Sequence, residues 1–263
     1  MKDCSVSVCM SIHNQAPIIT SIVNGIIKNI SKNVKEIIFV FDGCDDGSDT
    51  IVKSIMNGCK VPTQYIYADD IWEVKANNLT FKNATCPYIL TIQDDMLLLE
   101  KDFDKRIMLP FFKVENLLGV SARNAQDQRI ENGELSFYNL FGHDVDSPRD
   151  ILGVREIIIR GPIMYDHQKL EAMNYLDEEF APTYGDDHDI SFRAHREHGW
   201  IVGAFMVGYD SPLLWGKTRQ SRPIRNAIWD KSRIKNIKMI IERHADLING
   251  EKHTQDIIIK ESL

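Results

Sequence analysis

The sequence predicts an α/β fold built on a mostly parallel sheet flanked by helices. Two observations carry this. Strand-like and helix-like segments alternate through residues 5–92, and the strand-like ones, such as Glu36–Phe41 (EIIFVF) and Tyr88–Ile92 (YILTI), are near-continuous apolar runs. Strands buried on both faces read this way, because helices cover each side of a parallel sheet. A third observation concerns function. Three polar segments, His13-Asn14, Asp42–Asp49 and Asp94-Asp95, each follow one of these strands. Ligands of such sheets bind outside the carboxyl ends of the strands, so the three segments should converge on one edge.

The elements follow in order. Ser5–Ile12 (SVSVCMSI) reads as the first strand. Asn14 is a capping-type residue and Pro17 suits a first helical turn. Ile18, Ile19, Ile22, Val23, Ile26 and Ile27 then recur at one-face helical spacing. Glu36–Phe41 is the second strand, Asp42–Asp49 a turn-rich loop, and Ile51, Val52 and Ile55 open another helix. Gln64–Tyr67 reads as a third strand, Trp72–Ala84 as a helix and Tyr88–Ile92 as a fourth strand. The second half is less regular. Arg123–Asp150 is polar, contains Gly133, Gly142 and Pro148, and reads as a long excursion, a kind of loop that is often functional or mobile. Ile157–Ile159 predicts a strand, Asp187–Gly199 a short helix closed by Gly199, and Ile201–Val207 a further strand. Ser211–Arg222 reads as a loop and Arg225–Asn249 as a helical tail, with the last residues loose.

A chain of 263 residues with 43% hydrophobic and 26% charged residues can bury a core without staples. Its net charge of −7 argues against a nucleic-acid or anionic-membrane partner, which would call for a basic face. Five cysteines, Cys4, Cys9, Cys44, Cys59 and Cys86, include no C-x-x-C pair. Reduced thiols in a cytoplasmic protein are the simplest expectation. Met1–Cys4 leads directly into a strand pattern, so no signal peptide is expected, and no apolar run approaches the roughly 20 residues of a membrane helix.

Several residue groups could carry chemistry. Asp94 and Asp95 are adjacent carboxylates at the end of a buried strand. That placement is costly unless something positive sits on them. A hard divalent cation shared with substrate phosphates would satisfy it. The same dipeptide at Asp69-Asp70 reads as an ordinary loop, so strand context carries the argument. Asp42 could accept hydrogen bonds from a base or ribose, while its loop could equally cap the next helix through Ser48 or Asp49. Tyr184–Ile190 sets three carboxylates around His188 at a helix start. They could include a general base or simply favour the helix dipole. Asp187 suits the base and Asp189 the cap. Lys217, Arg219, Arg222 and Arg225 follow Trp215-Gly216. They could close over a diphosphate or form a solvated basic face.

Together these segments resemble the family 2 glycosyltransferases of the GT-A fold, a Rossmann-like architecture, over about Ser5 to Val207. Ser7–Asn14 resembles the family's first strand with its Tyr-Asn-type ending. Phe41–Ser48 resembles its Asp-rich loop, with Phe41 in place of the first Asp. Tyr88–Asp95 resembles the strand ending in the metal-binding Asp-x-Asp motif. Gly185–Ile190, with Arg193 and Gly199, resembles the Glu-Asp-x-Asp-Leu segment that holds the family's base. The resemblance implies one catalytic domain over 1–215, with a nucleotide half (1–100) and a smaller acceptor half (101–215), followed by a basic loop and helical tail (216–263).

It also implies roles. Asp95 would be the main ligand of Mn²⁺ or Mg²⁺, with Asp94 near the ribose and metal and Asp210 as a further metal ligand. His13, Asn14, Asp42, Lys75 and Asn78 would line the nucleotide pocket. Gly161 or Asp186 would touch the sugar, and Arg219 the diphosphate. Asp187, or Asp186, which replaces the usual Glu, would deprotonate the acceptor and invert the anomeric carbon. The donor would be a UDP, GDP or dTDP sugar and the acceptor a glycan, glycolipid or protein. Gln93 departs from the motif by standing where its first Asp is usual. A sugar nucleotidyltransferase is the alternative enzyme, but His13–Pro17 lacks the glycine-rich basic loop of that class. A noncatalytic nucleotide- or glycan-binding module is the alternative outside enzymes. Base, sugar, acceptor and oligomeric state, including a homodimer through the tail helix, stay open.

Overall fold

The computed structural model describes residues 3–211 and 223–259. Its strands are β1 (Val6–Ile12), β2 (Val34–Asp42), β3 (Thr63–Ala68), β4 (Tyr88–Thr91), β5 (Leu97–Leu98), β6 (Leu117–Ser121), β7 (Asn124–Glu131), β8 (Glu134–Gly142), β9 (Ile151–Arg155), β10 (Ile157–Ile159), β11 (Ile163–Asp166), β12 (Ile201–Phe205), β13 (Tyr209–Asp210) and β14 (Gln255–Ile258). The helices are α1 (Ile19–Asn29), α2 (Ser48–Met56), α3 (Trp72–Asn83), α4 (Phe103–Met108), α5 (His167–Ala172), α6 (Asp186–His198) and α7 (Pro223–Ile248).

Nine strands form the central sheet in the order β14-β9-β12-β6-β11-β4-β1-β2-β3. The pairs β1–β2, β1–β4, β2–β3 and β6–β12 are parallel, and of the nine strands β9 and β11 run against the others. The sheet is therefore mainly parallel, as its apolar strands predict. In β2 all residues but Lys35 are buried, and β4 is buried throughout. Helices cover both faces. One core joins Ile19, Ile22, Val23 and Ile26 of α1 to β1 and β2, and a second joins Val74 and Phe81 of α3 to the opposite face.

The first helix begins at Ile19, beyond the Asn14–Pro17 start that the sequence suggests. Asn14 has φ 55 and turns the chain instead, while the Gln15 carbonyl accepts from the amides of Ile18 and Ile19. The larger correction is Arg123–Asp150. It is not a loop: β7 and β8 form a hairpin that pairs with β10 in a three-stranded sheet. Its turn is Asn132-Gly133, with φ 53 and 80. Two left-handed residues give the twist that a two-residue hairpin needs, and Asn-Gly supplies them cheaply.

The predicted helical tail is α7, and it packs onto the body. Ile240 and Ile248 join a core cluster with Ile157, Phe180 and Phe192. The Asn236 side-chain amide donates to the carbonyls of Phe180, Thr183 and Tyr184 at 2.8, 3.0 and 2.8 Å. Beyond it, residues expected to be loose form β14 at the sheet edge. All five cysteines are free. No helix among the described residues is long and apolar enough to cross a membrane.

Candidate active site

The carboxyl ends of β1, β2 and β4 open on a cleft, the position at which such sheets bind ligands. Its lining combines strand ends (Ser11, Ile12, His13, Asp42, Gln93, Asp94, Asp95) with Gln15, the first turns of α3 (Trp72, Glu73, Ala76), Thr183, and Arg225 and Trp229 of α7. The three polar segments do converge on one edge.

Asp94 ties two of them together. Its Oδ2 accepts from the His13 amide at 2.9 Å and its Oδ1 from the Gln15 side-chain amide at 3.2 Å. Burial, reinforced by the adjacent Asp95 carboxylate, pushes the Asp94 carboxyl up to about 8. A buried carboxyl raised beside a second carboxylate favours an external cation. The Asp42 carboxylate accepts from the amides of Ile71 and Trp72 at 2.6 and 2.8 Å. These bonds hold a turn in which Asp70 and Trp72 have φ 54 and 69. A bulky residue at positive φ is strained and is over-determined by its surroundings. His13 Nδ1 lies 2.5 Å from the Asp42 carbonyl oxygen, so that nitrogen carries the proton. Arg225 donates to Asp70 at 2.6 Å and lies 4.0 Å over the Trp72 ring.

The second acidic group sits at the start of α6. Gly185 at φ 88 leads into Asp186 and Asp187. Arg160, at the end of β10, pairs with both Asp186 and Glu73. Its backbone amide donates to Asp187 Oδ2 at 3.0 Å. The Asp186 side chain is 1% exposed and that of Asp187 11%. Burial raises the Asp186 carboxyl to about 6, against the opposing pull of Arg160. Burial also draws His188 below its ordinary range, keeping it neutral beside Asp187. Asp189 plays the structural part: it accepts from Arg193 at 2.7 Å and faces His244 Nε2 at 2.9 Å.

Not every candidate reaches the cleft. Lys75 is exposed on α3 and does not line it. Asn78 is buried and clamps a loop instead, donating to the Leu176 carbonyl at 2.8 Å and accepting from its amide at 3.0 Å. Its place on the inner face of α3 explains this. Asn14 pins the first two loops together by accepting from the Asp45 amide at 2.9 Å. Gly161 packs where a Cβ would meet Arg123 at 2.7 Å. Asp210 is exposed on β13, paired with Leu97 of β5. Among the described residues it makes no close ligand group with Asp94 and Asp95; the group whose ligand atoms lie within 4.8 Å of one another is His13, Asp42 and Asp70. Lys217, Arg219 and Arg222 lie outside the described residues.

Sequence reasoning missed Gln15, Glu73, Arg160, Thr183 and Trp229. Arg160 had one signal: a charged residue closing the apolar run Ile157–Ile159. Glu73 looked like an ordinary first-turn acid.

The divalent ion that the resemblance implies can be tested against these residues. The oxygen donors at Asp94 and Asp95 suit a hard cation, but the Gln93 amide is directed to Glu73 at 2.8 Å. The protein's share of the ligands is therefore small. That is normal for Mg²⁺-like ions that keep waters and substrate phosphates, so the site fits.

Comparison with known proteins follows the same lines. The sequence model described as Glycosyl transferase family 2 matches residues 7–138, about half of the chain. Among solved structures, S. aureus TarS in complex with UDP is similar at TM-score 0.53 and 14% identity, over 76% of this chain and 57% of that one. GalNAc-T7 with UDP, GalNAc and Mn²⁺ is similar at TM-score 0.63 and 9% identity, over 76% and 42%. The chain thus spans about half the length of these structures, and the likeness shows a shared fold. No curated protein sequence matches the chain.

Proposed function

Because the chain belongs to glycosyl transferase family 2, and is thereby a glycosyltransferase, we propose that it moves a sugar from a nucleoside-diphosphate donor to an acceptor hydroxyl with inversion. One observation carries this reading. His13, Asp42, Asp94 and Asp95 line one cleft at the ends of β1, β2 and β4, where nucleotides bind in such sheets. TarS and GalNAc-T7 were solved with UDP, which makes uridine the first base to try, ahead of guanosine and thymidine. The acceptor class is a hydroxyl-bearing glycan, glycolipid or protein.

In this reading His13, Asp42 and Gln15 hold the nucleoside end. Asp95, with Asp94, would hold Mn²⁺ or Mg²⁺, which supplies charge neutralisation for the departing diphosphate. Asp187 is the base. Its carboxylate is the more exposed of the α6 pair, while Asp186 is committed to Arg160. Asp187 takes the acceptor proton as the acceptor oxygen bonds to the anomeric carbon. The bond from that carbon to the diphosphate oxygen breaks on the opposite face, inverting the configuration. Arg225 and Trp229 close the cleft from α7 and shield it from water.

Thermal shift against a panel of nucleoside diphosphates, with Mn²⁺ and with EDTA, tests the reading. A metal-dependent rise with one diphosphate, lost in Asp95→Ala, supports it. No rise with any diphosphate in Mn²⁺ overturns it in favour of a noncatalytic module.

A further inference from the structure

Gln93 stands where the family motif has an aspartate, and Glu73 stands beside it. The Gln93 side-chain amide donates to Glu73 Oε1 at 2.8 Å. Glu73 Oε2 accepts from the Thr183 hydroxyl at 2.8 Å and also pairs with Arg160. Arg160 reaches Asp186 with its guanidinium and Asp187 with its backbone amide. One continuous path therefore runs from the end of β4 to the candidate base, through side chains that are buried or half-buried. An acid in the first turn of a helix commonly serves only the helix dipole. The three partners of Glu73 named here all lie off α3, across the floor of the cleft.

We propose that Glu73 is a positioning residue for Asp187, and that position 93 carries an amide because Glu73 needs a hydrogen-bond donor there. The proposal rests on the reading of Asp187 as the base. A carboxylate at position 93 would face the Glu73 carboxylate at hydrogen-bonding distance with no hydrogen to donate, so the 2.8 Å contact would turn from a bond into a repulsion. Without a donor at position 93, Glu73 Oε1 would lose the bond that holds it, and Glu73 anchors Arg160, whose amide fixes Asp187. Completing the Asp-x-Asp pattern by Gln93→Asp should thus damage this protein. The Arg160 ion pairs are also why the path is stiff: a guanidinium held from two sides cannot swing with its loop.

Four proteins test this: the intact chain, Glu73→Gln, Gln93→Asp and the double exchange. Both substitutions nearly conserve shape. Melting midpoints are taken in EDTA, so that no metal or turnover enters. Steady-state kcat and donor KM are then measured with Mn²⁺. We expect Gln93→Asp to lower the midpoint and the double exchange to regain much of that loss, since carboxylate and amide have traded places. We expect Glu73→Gln to lower kcat about tenfold or more, with donor KM changed less than about threefold, because the base rather than the donor is displaced. Additive midpoints in the double exchange would overturn the pairing. A raised donor KM with unchanged kcat in Glu73→Gln would overturn the positioning role and make Glu73 a donor contact. Absence of turnover in the intact chain with any nucleotide sugar sinks the transferase reading, and the positioning role with it, while the midpoints still report the Gln93–Glu73 pairing.

Discussion

The protein holds two pairs of adjacent aspartates, Asp94-Asp95 in the lining of the cleft and Asp186-Asp187 outside that lining but joined to it through Arg160 and Glu73, and they are neutralised differently. Asp94-Asp95 closes a strand, and the donors that Asp94 accepts from are the neutral His13 and Gln15 amides. Asp186-Asp187 opens a helix, and Asp186 receives the Arg160 guanidinium. In the proposed reading the first pair takes a positive charge from outside, whereas the second already has one in Arg160. The chemistry of an acid pair is set less by the acids than by the charge of what already touches them.

Breaking each pair should give unlike losses. Asp187→Asn should lower kcat about a thousandfold, within the range that general bases supply, while metal-dependent nucleotide binding persists. Steady-state kinetics beside a thermal shift on the same preparation checks both halves. Asp95→Ala should do the reverse to binding. It should abolish a stabilisation worth about 2.7 kcal/mol at a hundredfold excess of nucleotide over its dissociation constant.

Acidity separates the pairs next. A carboxyl raised on folding costs stability as the unfolded chain ionises before the folded one, so the cost is absent below the unfolded pKa and complete above the folded one. For Asp186 that window runs from the ordinary aspartate value of 3.8 to about 6, and for Asp94 from 3.8 to about 8. Melting midpoints measured without metal should therefore fall with rising pH through both windows. Asp94→Asn should flatten the stretch between the two folded values, and Asp186→Asn should not.

The smallest effects come from two helix-start glycines with the same φ of 88, Gly47 before α2 and Gly185 before α6. A left-handed non-glycine residue costs roughly 1–2 kcal/mol. The Cβ at Gly47 meets open space, whereas at Gly185 it lies 2.8 Å from Ile240 Cδ1. Gly185→Ala should lower the melting midpoint more than Gly47→Ala and should slow turnover, since the acid pair follows directly. Equal losses from both would show that the packing of α7 against this turn does not matter.

The convergence of the strand ends was legible because its signals are local. β2 and β4 are largely apolar runs that lead into polar residues, Asp42 and Asp94-Asp95. The Asn132-Gly133 pair of the β7–β8 hairpin is a turn signal in the sequence too, but the mostly half-buried and exposed residues of β8 give no clean strand period around it. Glu73 and Arg160 were not legible. They lie 87 positions apart by their own numbers, and only the antiparallel insertion of β11 between β4 and β6 brings Arg160 across the floor to α3. Lys75 and Asn78 failed for a plainer reason. One turn of α3 separates the face that meets the cleft from the faces that meet solvent and the loop at Leu176.

The order in which the sheet is assembled bears on how the protein is made. β1, β2, β3 and β4 are neighbours in sequence and in space, so a growing chain can pair them as they leave the ribosome. β4 then waits for β11, whose residues 163–166 arrive only after the hairpin and β9 have been synthesised. During that interval β4 presents an unpaired edge of residues that end up buried, the kind of surface that recruits strands from other chains. The β1–β4 half can therefore pair first, and until Ile163 emerges its β4 edge lacks the partner that covers it in the finished sheet.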